Sequence, residues 1–356
     1  MNQTIDVTRA AVRKPKPLDS ELGFGIYFTD HMALMEYQDG RGWGTFRIQP
    51  YGPLTLDPGA AVLHYAQAVF DGFKAFYGQD GVVRVFRPQK HMERLQRSSA
   101  RLCIPSFDEQ QALEATLALV ELEKDWTPKT PGTSLYIRPV IIATEPFLGV
   151  RPARSYLFYI ILSPVGSYYP EGMNPLRIFV SDQYVRAVEG GVGEAKTAGN
   201  YAASLFAGEE AHRAGFSQVL WLDGVHRRYI DEVGTMNIMV RIGDEVITPP
   251  LSGTILPGVT RDTTLTLMRE WGLNVSERPI AIDEVTEAAH NGTLREVFGT
   301  GTAAVVSPVG ELVYRGESIV VNDRRIGELT QRLYDAVTDI QYARVADTHG
   351  WTVAIT

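Results

Sequence analysis

Read for apolar periodicity, the chain opens on an arm with no pattern and then settles into short alternating runs. The first twenty residues, through Lys14-Pro15-Lys16-Pro17, are polar and predict a frayed terminus. Ile26 and Phe28 alternate inward ahead of Asp39-Gly40, a turn dipeptide. Gln79-Asp80-Gly81 closes a second hairpin and leads into a strand over 82–86. Pro88 suits the first turn of a helix reaching about Leu102. A second helix is expected over roughly 109–124, with Leu113, Leu117 and Val120 at helical spacing. The most apolar run, 156–162, fits a buried strand and is far too short to cross a bilayer.

Between Pro164 and Pro175, three prolines and two glycines mark a connector. A strand over 176–180 follows, another over 218–222, and strands alternate with helices to the end, with no internal repeat. At 356 residues the chain is long enough for two domains. The pattern predicts an α+β or mixed α/β protein: a small N-terminal domain over 1–163, a connector over 164–175 and a larger domain over 176–356.

A formal net charge of −8 argues against a nucleic-acid partner, which needs a basic field. Anionic ligands must then be held by individual arginines or backbone amides. The single cysteine, Cys103, excludes a disulfide framework and a cysteine-rich metal site, and its apolar neighbours Leu102 and Ile104 predict a core position. The start of the chain has no signal-peptide-type apolar stretch, which gives a cytoplasmic expectation with no membrane partner.

Four segments could carry chemistry. Gly190-Gly191-Val192-Gly193-Glu194-Ala195-Lys196-Thr197-Ala198-Gly199-Asn200-Tyr201 surrounds one lysine with glycines, which let backbone approach a ligand closely. A phosphate loop needs glycine directly before the lysine, and Ala195 stands there. The remaining readings are a solvated surface lysine or a Schiff-base lysine whose amine can lose its proton. Glu232, in Asp231-Glu232-Val233-Gly234-Thr235-Met236-Asn237, could be a base, a turn residue or the partner of a ring nitrogen. Leu256-Pro257-Gly258-Val259-Thr260-Arg261 opens a helix, whose first amides suit a phosphate. Phe298-Gly299-Thr300-Gly301-Thr302-Ala303-Ala304 lacks the third glycine of a dinucleotide fingerprint but offers hydroxyls at a tight turn. On the helix after Pro88, Arg94, Arg97 and Arg101 fall on one side, either as solvated charges or as phosphate ligands.

In this order, the four segments closely resemble the branched-chain amino-acid aminotransferases, fold-type IV pyridoxal-phosphate enzymes. The likeness extends upstream to Thr29-Asp30-His31-Met32, Phe86-Arg87-Pro88 and Ser134-Leu135-Tyr136-Ile137-Arg138-Pro139, and covers nearly the whole chain. It implies a two-domain α+β fold of the D-amino-acid aminotransferase type, with pyridoxal 5′-phosphate at the domain interface and a homodimer as the assembly. Lys196 would carry the cofactor as a Schiff base and shuttle the substrate's Cα proton. Glu232 would hold the ring nitrogen protonated, and Tyr201 would bond the ring hydroxyl. Arg94, the amides of Val259 and Thr260, and Thr302 would grip the phosphate, with Arg186 nearby. Phe24, Tyr65, Phe70, Tyr136, Tyr168 and Thr235 would line the substrate site, with Val150 arriving from a second subunit. Tyr65, Thr235 and the Ala303 amide would bind the substrate carboxylate, and Arg138 the distal carboxylate of glutamate. The implied substrates are leucine, isoleucine, valine and glutamate with their 2-oxo acids. A D-amino-acid aminotransferase and an aminodeoxychorismate lyase are the same-fold alternatives. Some family members carry a redox Cys-x-x-Cys pair after the Gly-Thr-Ala turn; Ala304 and Ser307 stand there, so this chain lacks that switch.

Overall fold

The computed structural model of the protein describes residues 5–168 and 173–355. The chain divides into two compact units: Met1–Tyr168 with Ala195–Ala198 and Asp339–Thr356, and Tyr169–Glu194 with Gly199–Thr338. The domain limits expected from sequence therefore need correction. Lys196 and the C-terminal segment pack with the first unit, because the 195–198 stretch pairs with a strand there. Of the expected connector 164–175, residues 169–172 lie outside the described residues; residues up to Val165 complete a strand.

The first unit is built on a ten-stranded sheet. Its strands are β1 (Asp6–Val7), β2 (His31–Gln38), β3 (Gly42–Trp43), β4 (Arg47–Pro50), β5 (Ala68–Phe70), β6 (Phe73–Tyr77), β7 (Val83–Phe86), β8 (Ser134–Ala143) and β9 (Ser155–Val165), joined by the C-terminal strand Thr352–Ala354. The main path runs β1-β4-β2-β9-β8-β6-β7 and ends on that C-terminal strand, while β5 pairs with β8. Helices α1 (Ala61–Tyr65), α2 (Pro88–Arg101) and α3 (Glu109–Leu122) fall between these strands. Strand alternation gives β8 two different faces. Leu135, Ile137 and Ile141 join the core that also holds Phe73, Leu95, Leu119 and Phe158. Tyr136, Arg138, Val140 and Ile142 point to the other face, where Ile142 packs with Ala68 and Leu157.

Three further expectations are corrected. Of the first twenty residues, the described ones from residue 5 onward are tied down rather than frayed. β1 pairs in parallel with β4, the Ala10 amide donates to His31 Nε2 (2.7 Å), and the Lys14 amide donates to Asp30 Oδ1 (2.8 Å). Ile26 does not point inward; it is exposed, and the strand starts only at His31. Cys103 is exposed rather than core. It follows the end of α2 with φ +56°, a left-handed conformation that turns its side chain outward while Ile104 fills the core.

The second unit holds β10 (Leu176–Ser181), helix α4 (Ala198–Arg213, of which Ala198 counts with the first unit), β11 (Gln218–Leu222), β12 (Ile230–Val233), β13 (Met236–Ile242), β14 (Glu245–Thr248), helix α5 (Val259–Glu270), β15 (Asn274–Glu277), helix α6 (Ile282–His290), β16 (Leu294–Gly301), β17 (Val305–Tyr314), β18 (Glu317–Val320) and most of helix α7 (Glu328–Gln341). The path β12-β11-β10-β17-β16-β13 closes on itself through a β12–β13 pairing. Closure removes the exposed edges of these strands. At the seam, Glu232 pairs with Asn237 and Asn237 with Thr300, so three polar side chains share one cross-strand row.

Candidate active site

In the first unit, Lys196 is held by its backbone. The segment 195–198 forms an antiparallel bridge to β5 at Val69↔Thr197. The Phe70 amide donates to the Lys196 carbonyl (3.0 Å), and Thr197 Oγ1 donates to the Ala68 carbonyl (2.8 Å). From α2, Ser98 Oγ accepts the Lys196 N–H at 2.9 Å. Lys196 is partly buried, and its amine lies 4.9 Å from the centre of the Phe70 ring. Loss of hydration, and next the charge of Arg94, push that amine down to about 8, with Asp71 acting in the opposite direction.

Of the three arginines on α2, the fold buries one. Arg94 is inside, whereas Arg97 and Arg101 are exposed. Its Nε and Nη2 donate to the two carboxylate oxygens of Asp71 at 2.8 and 2.7 Å, a bidentate pair. His91 Nδ1 lies 2.8 Å from Asp71 Oδ1, and its ring stacks on Phe73. Burial pushes the Asp71 carboxyl up, but Arg94 and His91 overcome that and hold it well below the usual carboxylate range. Burial also pushes His91 down to about 4, so near neutral pH it is an uncharged donor to Asp71.

Beside Lys196, an aromatic group gathers on the second face of β8. Phe24 meets Tyr136 and Tyr168 edge-on at 5.1 and 4.9 Å between ring centres. Arg138 Nη2 donates to the Tyr136 hydroxyl (3.0 Å), and the guanidinium lies 4.7 Å from the Phe70 ring centre. The structure thus brings together Phe24, Phe70, Tyr136, Arg138 and Tyr168. Tyr65 and Val150 stand on an exposed surface instead: the Tyr65 hydroxyl donates to the Leu148 carbonyl, and Val150 is 86 % exposed.

In the second unit, the seam row forms a carboxylate cradle. Glu232 is buried, and its Oε1 accepts from Asn237 Nδ2 (3.0 Å) and from the Leu256 amide (2.9 Å). Arg186 Nε lies 3.1 Å from Oε2 as an ion pair, without the alignment of a hydrogen bond. Nη2 of Arg186 donates to the Thr254 carbonyl. Gly193 explains part of the glycine run: a Cβ there would lie 2.4 Å from that same carbonyl oxygen. Next in sequence to Glu232, Asp231 is pushed up to about 6 by burial, against the pull of Arg186.

α5 begins at Val259 behind Gly258, with no side chain capping its start. Only glycine fits at 258, because a Cβ would sit 2.0 Å from Asn237 Oδ1. Thr302 and Ala303 lie in the turn joining β16 and β17, and Thr235 is exposed in the turn joining β12 and β13. Tyr201 lies in the first turn of α4. The Thr300 hydroxyl is buried with no hydrogen-bond partner among the described residues.

The class IV aminotransferase family model matches residues 68–312. The chain belongs to this family. It is 55 % identical over 353 residues to branched-chain-amino-acid aminotransferase 2 of Bacillus subtilis, a match covering 99 % of this chain and 97 % of that one. It is 50 % identical to a probable branched-chain-amino-acid aminotransferase of Staphylococcus aureus, covering 100 % of this chain and 99 % of the relative. Among solved structures, the Escherichia coli branched-chain amino acid aminotransferase is similar with a TM-score of 0.76 at 28 % identity, covering 87 % of this chain and 97 % of that one. The protein is a pyridoxal-phosphate-dependent transaminase of the branched-chain type.

The residues present fit that cofactor. An aldehyde needs an amine that gives up its proton readily, and the Lys196 environment supplies one. A phosphate needs fixed donors, and groups of that kind are buried Arg94 within the first unit and the first amides of α5 within the second. A pyridine nitrogen needs a carboxylate partner, and Glu232 is a buried one that accepts two hydrogen bonds and lies beside the Arg186 guanidinium. Sequence reading missed the supporting residues Asp71, His91, Ser98 and Asn237. Ser98 carried a signal, since it falls one turn beyond Arg94 on the same helical face. Asp71 carried one too, as an acid between Phe70 and Phe73.

Proposed function

We propose that this transaminase moves the amino group of leucine, isoleucine or valine to 2-oxoglutarate, giving branched 2-oxo acids and glutamate in two half-reactions. The observation that carries the reading is a lysine pinned by its backbone on both sides, with its amine pushed down to about 8.

Bound pyridoxal 5′-phosphate supplies an electron sink for the charge left on the substrate's Cα. Lys196 Nζ takes the Cα proton and later returns one, which requires that it be unprotonated when substrate arrives. Glu232 holds the proton on the ring nitrogen, and Arg186 keeps Glu232 ionised from the other side. Tyr201 bonds the ring hydroxyl. Arg94, the amides of Val259 and Thr260, and Thr302 would hold the phosphate. The Ala303 amide and Thr235 would receive the substrate carboxylate, whereas the Tyr65 hydroxyl is engaged by the Leu148 carbonyl.

Phe24, Phe70, Tyr136 and Tyr168 surround the side chain, where burying an aliphatic group is worth roughly 1.5–3 kcal/mol. A wholly apolar pocket would reject glutamate. Arg138 and the Tyr136 hydroxyl supply the polar ends that allow it. The exposed apolar surface of Leu63, Tyr65, Phe147, Leu148 and Val150 suits burial against a second copy, which supports a homodimer with Val150 reaching the partner's site. No helix among the described residues is long and apolar enough to cross a membrane, which accords with a cytoplasmic enzyme.

The test is a coupled assay of the purified holoenzyme with 2-oxoglutarate and single amino acids. L-Leucine, L-isoleucine and L-valine should each yield glutamate, whereas D-leucine should not. Turnover of the D enantiomer in preference would overturn the reading.

A further inference from the structure

Within the first unit, the chain leaves the sheet after β1 and returns to it at the start of β2, and the two ends of this loop meet at one buried cluster. The Ala10 amide donates to His31 Nε2 (2.7 Å), and the Lys14 amide donates to Asp30 Oδ1 (2.8 Å). Lys14 Nζ adds a bond to the Thr29 carbonyl (2.8 Å). An imidazole nitrogen that accepts carries no proton, so the ring proton of His31 sits on Nδ1, against Glu123. Asp30 Oδ2 accepts from Trp126 Nε1 (3.0 Å), and Arg13 stands 4.0 Å from it. His31, Asp30 and Glu123 are all closed to solvent.

The tip of the loop carries Phe24. Gly23 and Gly25 flank it with φ +58° and +73°, left-handed conformations that turn the chain on either side of the ring. Gly23, Gly25 and Ile26 are exposed, so the tip has little packing of its own beyond buried Leu22 and the bond from the Gly166 amide to the Gly23 carbonyl (2.8 Å). The middle of the loop is tied by Lys16 to Asp125 and by Asp19 to Thr130, exposed contacts of small worth. The buried neck is therefore its strong point, and closing it removes much of the freedom of the residues between.

We propose that His31 and Asp30 are positioning residues for the substrate site: by clasping residues 10–14 they hold this loop closed and keep Phe24 seated against Tyr136 and Tyr168. The inference deepens the proposed function and rests on its placing of Phe24 at the substrate's side chain. Phe24 touches the substrate, whereas His31 and Asp30 act only through it. Opening the clasp weakens the hold on an aliphatic side chain and leaves the proton transfers at Lys196 as they were.

The test compares KM and kcat for L-leucine in purified holoenzymes carrying His31→Ala, His31→Gln, Phe24→Ala, and His31→Ala combined with Phe24→Ala. His31→Ala should raise KM about fivefold or more, a fraction of what burying an aliphatic side chain supplies, with kcat little altered. Glutamine offers an acceptor and a donor as the neutral ring does, so His31→Gln should recover most of the loss. In the Phe24→Ala background His31→Ala should add nothing, because the group it positions is gone. Hydrogen exchange should also quicken over residues 22–28 in His31→Ala. An equal rise of KM in the Phe24→Ala background would make the cluster a general support, and an unchanged KM or unchanged exchange would disconnect neck from tip; each of these overturns the inference. Should His31→Ala fail to fold, Ala10→Pro, which deletes the N–H that His31 accepts, reads the same cycle. A wild-type enzyme inert toward leucine, isoleucine and valine would instead strike at the proposed function, and the exchange over residues 22–28 would still decide the clasp.

Discussion

Asp71 does more for this site than its place in the sequence suggests. A buried arginine without a counter-ion is untenable, and Asp71 supplies both oxygens to Arg94 while also receiving His91. Removing one member of such a pair strands the other charge. We expect Asp71→Ala to lose about 3–5 kcal/mol of stability, read by urea denaturation, and to release cofactor on dialysis. Unchanged stability and retention would show that Arg94 needs no orienting partner. The lysine makes a second prediction at this scale. Its amine attacks only when unprotonated, and desolvation followed by Arg94 pushes its pKa down to about 8. Cofactor uptake by the cofactor-free protein should accelerate as pH rises from 7 and level off above about 8, read by the visible absorbance. A plateau reached only near pH 10.5, the ordinary value for lysine, would contradict this. Lys196, Glu232 and Arg94 were singled out in the sequence by motif order. Asp71 was not, because its role depends on a helix twenty residues downstream folding back over it.

α2 shows how an element gathers separate duties on one face. His91, Arg94 and Ser98 follow at intervals of three and four, and all are buried. Ser98 therefore fixes the lysine's backbone one turn from the buried Arg94–Asp71 pair. Ser98→Ala should leave the Lys196 N–H without its acceptor, costing about 1–3 kcal/mol. We expect kcat to fall more than cofactor retention, since Arg94 is untouched. Equal loss of both would mean that Ser98 supports the helix rather than the lysine. The sequence announced α2 and α3 clearly, through Pro88 and the spacing of Leu113, Leu117 and Val120. It misjudged the N-terminal arm, whose order comes from hydrogen bonds to His31 and Asp30 and not from any periodicity of its own. Cys103 was misjudged for a related reason. Apolar neighbours suggested burial, but a left-handed backbone at the helix end turns the side chain out.

At the scale of the whole molecule, the division of the chain differs from its reading as two consecutive domains. A four-residue piece, Ala195–Ala198, is placed with the first unit although the residues on both sides belong to the second. Local pattern cannot reveal this, because the segment gains its partners from β5 and α2, about a hundred residues earlier in the chain. In the second unit, β12 and β13 form a local hairpin, whereas the pairing of β13 with β16 is the long-range event that brings Thr300 into the row of Glu232 and Asn237. Lys196 is anchored within the first unit, and the cradle around Glu232 is formed within the second. The most direct measurement is borohydride reduction of the holoenzyme, followed by peptide mass mapping of the adduct and repeated on Lys196→Ala. The wild-type enzyme should carry a phosphopyridoxyl group on the peptide containing Lys196, and the variant should lose the visible band, the adduct and transamination together. An adduct on any other lysine, or transamination surviving in the variant, would contradict the account.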